Sequence, residues 1–319
     1  MNDLKVVLWN CSGLRATTGS TAHKMGFFDK EIPNASFAIA VFVETHHKGE
    51  EDFPSLFIEY LATHNVLHTP TPEDHTHSGV IVFVRKDLEI LSHDVKITGR
   101  LINFKFRHNS ENTVYNFSAF YGHQFRRIKV CDLSSAFKPL FDCHSRSDNN
   151  VIIGDFNFID NDLDKGQGMD NNDKKISSLW EDFKRKTVLS DPFREQNPTT
   201  KRYSFHTKNG KSRIDRIYVN TVNVFNVKNI NYQFYSKANA HKLMTFNLKK
   251  SDEKGPGYWK LNTSVINDVP YVNLITECIN KVKQTKTNNP SEWWELLLFN
   301  IPGGILSKKN IEKLCLKPR

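Results

Sequence analysis

The sequence lacks any long apolar run, which argues against a helical membrane protein. None of its apolar stretches approaches the about 20 residues that cross a bilayer, and residues 1–5 carry no signal-peptide pattern. We therefore expect a soluble chain that is not secreted and has no membrane partner. Cysteine is also scarce. The five cysteines are scattered along the chain, are odd in number and include no CxxC pair. They predict reduced thiols rather than a disulfide framework or a zinc knuckle.

A surplus of acidic residues is missing as well. The 319 residues include 44 Lys and Arg against 35 Asp and Glu, which gives a net charge of +9. Residues 1–250 alone hold 34 basic and 28 acidic residues, so the excess is not confined to the C-terminal part. A basic chain favours polyanionic partners, nucleic acid ahead of anionic membrane, although many inert proteins are equally basic.

Short apolar runs alternate with polar loops through residues 1–249. The predicted strands are 4–9, 37–43, 79–84, 101–106, 114–121, 151–154, 214–219 and 242–248. The predicted helices are 22–31, 126–141 and 174–185. Many strands with few helices predict an α/β fold built as a mixed-sheet sandwich rather than a repeated β-α-β unit.

The pattern changes near residue 249. Residues 249–257 form a charged segment that ends in two glycines around a proline, which is typical of a linker. Helical patterns follow at 271–286 and 290–298. We therefore predict one domain over 1–249 and a linker with a helical segment over 250–319. The apolar surface of that segment must pack on the first domain or on sequence beyond it.

Acidic and amide side chains end several of the predicted strands. Asp155 and Asn157 follow one strand and, two residues apart, should point the same way. A carboxylate beside an amide can hold and deprotonate a water molecule. Asn10 and Glu44 end two other strands, and Asp215 lies inside a β-type run, where an acid usually holds something. Together they predict one convergent site with hard oxygen ligands, which favours Mg²⁺.

Each of these residues also has a structural explanation. Asp155 could close an Asx turn, and Glu44 could be a solvated strand end. Asp215 could form an ion pair with Arg213 or Arg216.

Other polar residues can also be explained by a structural role. Tyr121 and His241, which flank apolar strands, are residue types that more often serve packing. Four further histidines, without a second set of zinc ligands, are interpreted as loop residues: His64, His68, His75 and His77.

The order of the motifs resembles the endonuclease/exonuclease/phosphatase superfamily. The matching motifs are Trp9-Asn10, Glu44, Tyr121, Gly154-Asp155-Phe-Asn157, Arg213-Ile-Asp215 and His241. The chain is most similar to the apurinic-type endonuclease domain of non-LTR (LINE-type) retrotransposon polyproteins. This similarity covers residues 4–248, and 255–262 and 293–296 resemble the helical connector to the reverse transcriptase of such elements.

The resemblance implies a four-layer α/β sandwich, two mixed sheets flanked by helices, with a Mg²⁺ site (Mn²⁺ is plausible) that cuts DNA. Glu44 would hold the metal with support from Asn10. Asp155 would orient and deprotonate the attacking water, with Asn157 beside it on the phosphate.

Further roles come from the same resemblance. Tyr121 would bond a phosphate oxygen, and His241, held by Asp215, would stabilise charge on the scissile phosphate. The nick would leave a 3′-OH that primes reverse transcription. The implied partners are double-stranded target DNA and a downstream reverse transcriptase, and the implied place of action is the nucleus after cytoplasmic synthesis.

The last family motif departs from its pattern. The family reads Ser-Asp-His, but this chain reads Asn239-Ala240-His241, so a site carboxylate is missing and most activity should be lost. Two explanations remain open: a deliberate replacement that blocks cleavage, favoured by the intact remaining motifs, or a naturally defective copy. Cys11-Ser12, where repair-type relatives carry an acid, points away from abasic-site repair.

Basic residues cluster around a predicted hairpin at 206–212. In the family this hairpin lies along the DNA, with Ser204 near the scissile phosphate. The candidate DNA contacts are Lys201, Arg202, Lys208, Lys211, Arg213, and on the other side Arg126 and Arg127. An ordinary solvated basic surface is the alternative.

The sequence therefore predicts a Mg²⁺-dependent DNA-nicking endonuclease, impaired as written. The alternatives are a catalytically inert DNA-binding module on the same fold, an abasic-site repair endonuclease, and a phosphoesterase for inositol phosphates or sphingolipids.

Overall fold

The computed structural model describes residues 3–14, 19–73, 77–108, 113–122, 132–146, 148–208, 210–234, 240–249 and 269–284. The strands are β1 (Leu4–Asn10), β2 (Ile39–Val43), β3 (His64–Thr69), β4 (Val80–Arg85), β5 (Leu88–Ile97), β6 (Leu101–His108), β7 (Val114–Tyr121), β8 (Asn149–Asp155), β9 (Leu189–Ser190), β10 (Phe205–Thr207), β11 (Gly210–Ser212), β12 (Asp215–Asn220), β13 (Val227–Gln233) and β14 (Leu243–Leu248). The α-helices are α1 (Gly19–Glu31), α2 (Ser55–Tyr60), α3 (Leu133–Phe141), α4 (Asn171–Thr187), α5 (Pro192–Gln196) and α6 (Val269–Gln284).

Two six-stranded mixed sheets form the centre of the fold. Their strand orders are β13-β14-β1-β2-β4-β3 and β5-β6-β7-β8-β12-β9. The pairs β1–β2 and β7–β8 are parallel, and the other pairs in both sheets are antiparallel. One apolar core contains side chains from both sheets, so the sheets pack face to face.

Helices cover the outer faces of the two sheets. In β1, Val6 and Leu8 belong to the core between the sheets, while Val7 and Trp9 belong to a second core with Phe28 of α1. A third core joins the outer face of the other sheet to α3 and α4. Because successive strand residues face opposite sides, a strand buried on both faces is apolar throughout. The predicted four-layer α/β sandwich is confirmed.

The structure corrects several predicted elements. β3 and β5 are edge strands that were not predicted, and β5 is largely exposed, so it has little apolar signal. His64 and His68 lie in β3 and not in a loop as predicted, whereas His75 lies outside the described residues. Of the helix predicted over 126–141, the described part is α3.

Backbone pairing brings predicted site residues to one edge of the second sheet. Asp155 of β8 lies opposite Tyr121 of β7 and Asp215 of β12. Gly154 permits this close pairing, because a Cβ there would lie 1.7 Å from the carbonyl oxygen of Phe120.

Contacts divide the chain into two compact units, residues 1–253 and 254–319. The described part of the second unit is α6. The tail residues 293–296 lie outside the described residues, so their resemblance to a connector stays a prediction. In the part of the chain that the structure describes, no helix is long and apolar enough to span a bilayer.

Candidate active site

Asn10 links the two sheets at the end of β1. Its buried side-chain nitrogen donates to Oε2 of Glu44 at 2.8 Å and to Oδ2 of Asp155 at 2.9 Å. Its oxygen accepts the backbone N–H of Ser12 at 3.0 Å. Asn10 thus orients two carboxylates by donating hydrogen bonds to them. Its predicted support of a metal at Glu44 stays a prediction.

A buried lysine fixes the loop that follows Asn10. The Lys24 ammonium on α1 donates to the backbone carbonyls of Cys11, Ser12 and Gly13 at 2.7, 2.9 and 2.8 Å. These charge-assisted bonds hold the turn whose amide positions Asn10. Sequence reasoning missed Lys24, because nothing in its local pattern shows that three carbonyls lie opposite it.

Glu44 follows β2 in a left-handed backbone conformation, with φ of 55°. Burial alone would raise the pKa of Glu44, but hydrogen bonds from His46 and Asn10, the charge of His241 and a bond from Tyr121 lower it to about 2. The carboxylate is thus ionised at neutral pH, and its side chain is 20% exposed. An ionised, partly open carboxylate fits a divalent cation that keeps several of its waters, as Mg²⁺ does.

Tyr121 closes β7 beside Glu44. Burial and the charges of Glu44 and Asp155 raise the pKa of the Tyr121 hydroxyl, so it stays protonated and can donate. The guanidinium of Arg100 lies 5.1 Å from the Tyr121 ring centroid and donates to the carbonyl of Gly122 at 3.0 Å. Arg100, a second residue that sequence reasoning missed, holds this corner in place.

Asp155 is fully buried and uses its two oxygens differently. Oδ1 accepts the backbone N–H of Asn157 at 2.9 Å, which forms the Asx turn weighed as an alternative, while Oδ2 faces Asn10. The expectation that Asn157 continues the strand alternation is wrong, because its φ is 52° and its side chain donates to the carbonyl of Gly122. Burial and the neighbouring charge of Asp215 raise the pKa of Asp155. A raised pKa suits a group that accepts a proton.

His241 pairs with Asp215 and faces Asp155. Its Nδ1 lies 3.0 Å from Oδ2 of Asp215, and its Nε2 lies 3.9 Å from Oδ2 of Asp155. Burial would lower the pKa of His241, but the charge of Asp215 and the hydrogen bond to it raise this pKa to about 9. The imidazole is therefore a cation at neutral pH. The ion pair of Asp215 with Arg213 or Arg216, weighed above, is not what the structure shows.

Ser204 is buried, and its predicted place near the scissile phosphate stays a prediction. Its hydroxyl oxygen accepts the backbone N–H groups of Ile214 and Asp215 at 3.1 and 3.0 Å. Because these bonds satisfy donors that would otherwise be buried without a partner, Ser204 fixes the backbone from which Asp215 projects.

Arg213 was predicted to contact DNA, but the structure buries it. Its side chain is 1% exposed, binds both oxygens of Asp164 at 2.9 Å and also pairs with Asp191. Arg216 is likewise buried, over the rings of Phe156 and Phe158. Neither guanidinium can reach a DNA backbone.

The other predicted DNA contacts are distributed as follows. Lys201, Lys208 and Lys211 are exposed, Arg202 is half-buried, and Arg126 and Arg127 lie outside the described residues. Their contact with DNA stays a prediction. Ala240 is half-buried beside His241, and its carbonyl accepts the backbone N–H of His206 at 2.9 Å, while Asn239 lies outside the described residues.

Comparisons with known proteins agree with this architecture. A sequence model of the endonuclease/exonuclease/phosphatase family matches residues 7–231, whereas no curated protein matches in sequence. The AP endonuclease LMAP from Leishmania major superposes with a TM-score of 0.62 at 13% identity, over 77% of this chain and 88% of that one. The endonuclease domain of TRAS1, a telomere-specific non-LTR retrotransposon, gives 0.55 at 14% identity over 78% and 99%. The 3′-5′ exonuclease NExo from Neisseria meningitidis gives 0.56 at 16% identity over 77% and 100%.

Proposed function

This chain belongs to the endonuclease/exonuclease/phosphatase family, and from that premise we propose that it is a DNA-nicking endonuclease of the non-LTR retrotransposon type. The observation that carries the proposal is the linkage of two carboxylates through Asn10. The same amide nitrogen holds Glu44, from one sheet, and Asp155, from the other. The resemblance of the motif order, the net charge of +9 and the nuclease neighbours support DNA as the substrate.

Glu44 is the residue that would hold Mg²⁺, with Mn²⁺ as a plausible substitute. When bound, the cation would neutralise charge on the phosphate and on the departing 3′ oxygen. Asn10 keeps Glu44 turned towards the site, and the low pKa of Glu44 keeps it ionised.

Asp155 would act as the general base. Its Oδ2 faces the site and would orient a water molecule and accept its proton, while Oδ1 stays in the Asx turn. Since one oxygen is fixed by the backbone, the carboxylate cannot rotate away from the water.

His241 and Tyr121 would bind the phosphate. Asp215 holds Nδ1 of His241, so the protonated Nε2 would donate to a phosphate oxygen on which charge develops. The Tyr121 hydroxyl would donate to another oxygen of the same phosphate. The products would be a 3′-OH and a 5′-phosphate, and the 3′-OH would prime a reverse transcriptase encoded downstream, acting on chromosomal DNA in the nucleus.

Ala240 makes the chain a poor catalyst under this proposal. An Asp in place of Ala240 would add a third acid beside His241. Without this acid we expect the chain to bind DNA but to cleave it at a rate roughly 10²–10⁴-fold lower than with the acid present. The same alanine favours the second candidate, a DNA-binding module that does no chemistry.

DNA affinity with and without Mg²⁺ separates the two candidates. Fluorescence anisotropy of a labelled duplex should show tighter binding by this chain when Mg²⁺ is present, and Glu44→Gln should remove that difference. A DNA affinity that changes neither with Mg²⁺ nor with Glu44→Gln would favour the inert DNA-binding module.

The chemical group at the 3′ end of the nick tests whether the product could prime reverse transcription. Plasmid nicked by the Ala240→Asp variant should be extended by a DNA polymerase without prior phosphatase treatment, because the 3′ end carries a hydroxyl. Extension only after phosphatase treatment would contradict the proposed position of bond cleavage.

A further inference from the structure

Two histidines converge on the outer oxygen of Glu44. Nε2 of His46 lies 3.6 Å from Oε1 of Glu44 and 3.3 Å from Nδ1 of His77. The three potential ligand atoms all lie within 4.8 Å of one another. Glu44 and His46 are partly buried and His77 is exposed, so the cluster is open to solvent on one side.

The backbone assembles this cluster from two distant segments. Thr45 and His46 donate their N–H groups to the carbonyls of Gly79 and Ser78 at 3.2 and 2.8 Å, which places the adjacent His77 opposite His46. Glu44 and His46 both adopt left-handed conformations, with φ of 55° and 60°. Such conformations are strained for residues other than glycine, and they cluster at functional sites.

Gly13 provides the space for the His46 ring. A Cβ at residue 13, where φ is 88°, would lie 2.8 Å from Nδ1 of His46. The imidazole therefore rests on the bare backbone of Gly13 with its Nε2 turned towards Glu44.

With neutral imidazoles, a single hydrogen bond at Nε2 of His46 joins only two of the three side chains. A neutral His46 carries at most one proton on Nε2, and it can give that proton to Glu44 or to His77 but not to both. If His77 instead donates from Nδ1, the lone pair of His46 faces the Glu44 carboxylate. A cation placed between them accepts a lone pair from all three atoms at once.

The spacing fits a small tetrahedral ion. Ligands that bind Zn²⁺ at about 2.0–2.1 Å lie roughly 3.3 Å apart around a tetrahedron, close to the 3.3 and 3.6 Å found here. Two imidazoles and one carboxylate form a ligand set that zinc sites use. We propose that Glu44, His46 and His77 bind a transition-metal ion of the Zn²⁺ class, with water in the fourth position.

This site differs from the oxygen site of the proposed nuclease and shares one residue with it. Oε2 of Glu44 is turned to Asn10, whereas Oε1 is turned to the histidines. A Zn²⁺ ion there would compete for Glu44 with the catalytic Mg²⁺, so Zn²⁺ would inhibit nicking. That consequence rests on the proposed function, whereas the binding of the ion does not.

Titration of the metal-free full chain with Co²⁺ tests the binding directly. Tetrahedral Co²⁺ absorbs visible light much more strongly than octahedral Co²⁺, so the site reports its own geometry, and added Zn²⁺ should bleach the band. We expect one tight equivalent. His77→Gln should weaken it by at least about tenfold, since even residues behind a metal ligand contribute 10–100-fold.

His93→Gln is the matched control, because His93 is exposed on β5 of the other sheet. The His93→Gln variant should bind Co²⁺ as the parent does, and His46→Gln should weaken binding at least as much as His77→Gln does. Circular dichroism shows whether each variant folds. No tetrahedral band in the parent, or an unchanged band in folded His77→Gln, would overturn the assignment, and neither outcome would bear on DNA nicking.

Discussion

Replacement of Arg213 by Gln should destabilise the protein rather than weaken DNA binding. The guanidinium makes two bonds of 2.9 Å to Asp164 and a further one to Asp191, and all three residues are buried. Removal of one partner from a buried ion pair costs about 3–5 kcal/mol, since it leaves an acid without a counter-charge. Asp164 also contacts Arg194 and Arg216, so the loss falls mainly on Asp191.

This cost can be measured as a melting temperature. For a domain of this size, 1 kcal/mol shifts Tm by roughly 2–4 °C, so Arg213→Gln should lower Tm by roughly 6–20 °C. Lys211→Gln is the matched control, because Lys211 lies two residues away and is exposed. Its Tm should stay within about 1 °C or 2 °C, in line with the small effects of surface changes, while its DNA affinity falls. A stable Arg213→Gln variant with weakened DNA binding would refute the structural role of Arg213.

Three further predictions concern the support of the site. Lys24→Met should lower the free energy of unfolding by about 2–4 kcal/mol, because three carbonyls lose a charged donor, whereas Lys30→Met on the exposed side of the same helix should not. Ser204→Ala should cost roughly 2–4 kcal/mol, because two buried amides lose their acceptor. In metal-free protein, NMR titration should show the pKa of His241 raised from 6.5 to about 9, and Asp215→Asn should lower it.

Because the pKa of His241 is raised on folding, its pairing with Asp215 stabilises the protein at low pH and not at high pH. Because the folded state binds the proton of His241 more tightly than the unfolded state, the stabilisation is complete below about pH 6.5 and is lost as the pH rises through about 9. A loss of this stabilisation on acidification would contradict the pairing with Asp215. Equal melting of the Lys24→Met and Lys30→Met variants, or full stability of Ser204→Ala, would contradict the respective contacts.

Strands that are buried on both faces could be predicted from the sequence. The predicted 114–121 coincides with β7, whose residues are almost all buried, so apolar side chains recur along its whole length despite the buried polar Asn116 and Ser118. β5 shows the opposite case. Its middle residues face solvent, and because an edge strand needs no apolar alternation, the sequence indicates it only weakly.

The acids of the site could be predicted because each one lies at, or directly after, a terminus of a strand. A polar group after an apolar run is visible locally, and β-sheet pairing then brings Asp155 and Asp215 side by side. The partner of a charged side chain is not visible in this way. Arg213 and Lys211 look alike in a basic run, and only the fold places Asp164, 49 residues earlier, against one of them. His46 and His77, 31 residues apart, meet for the same reason.

Plasmid nicking in Mg²⁺ by this chain, by Ala240→Asp and by Ala240→Asp with Glu44→Gln tests the central claim most directly. We expect Ala240→Asp to nick supercoiled DNA at least about a hundredfold faster than the parent, and Glu44→Gln to abolish that gain. If no variant nicks DNA, or if nicking survives Glu44→Gln undiminished, the residues joined by Asn10 are not the centre of a metal-dependent DNA endonuclease.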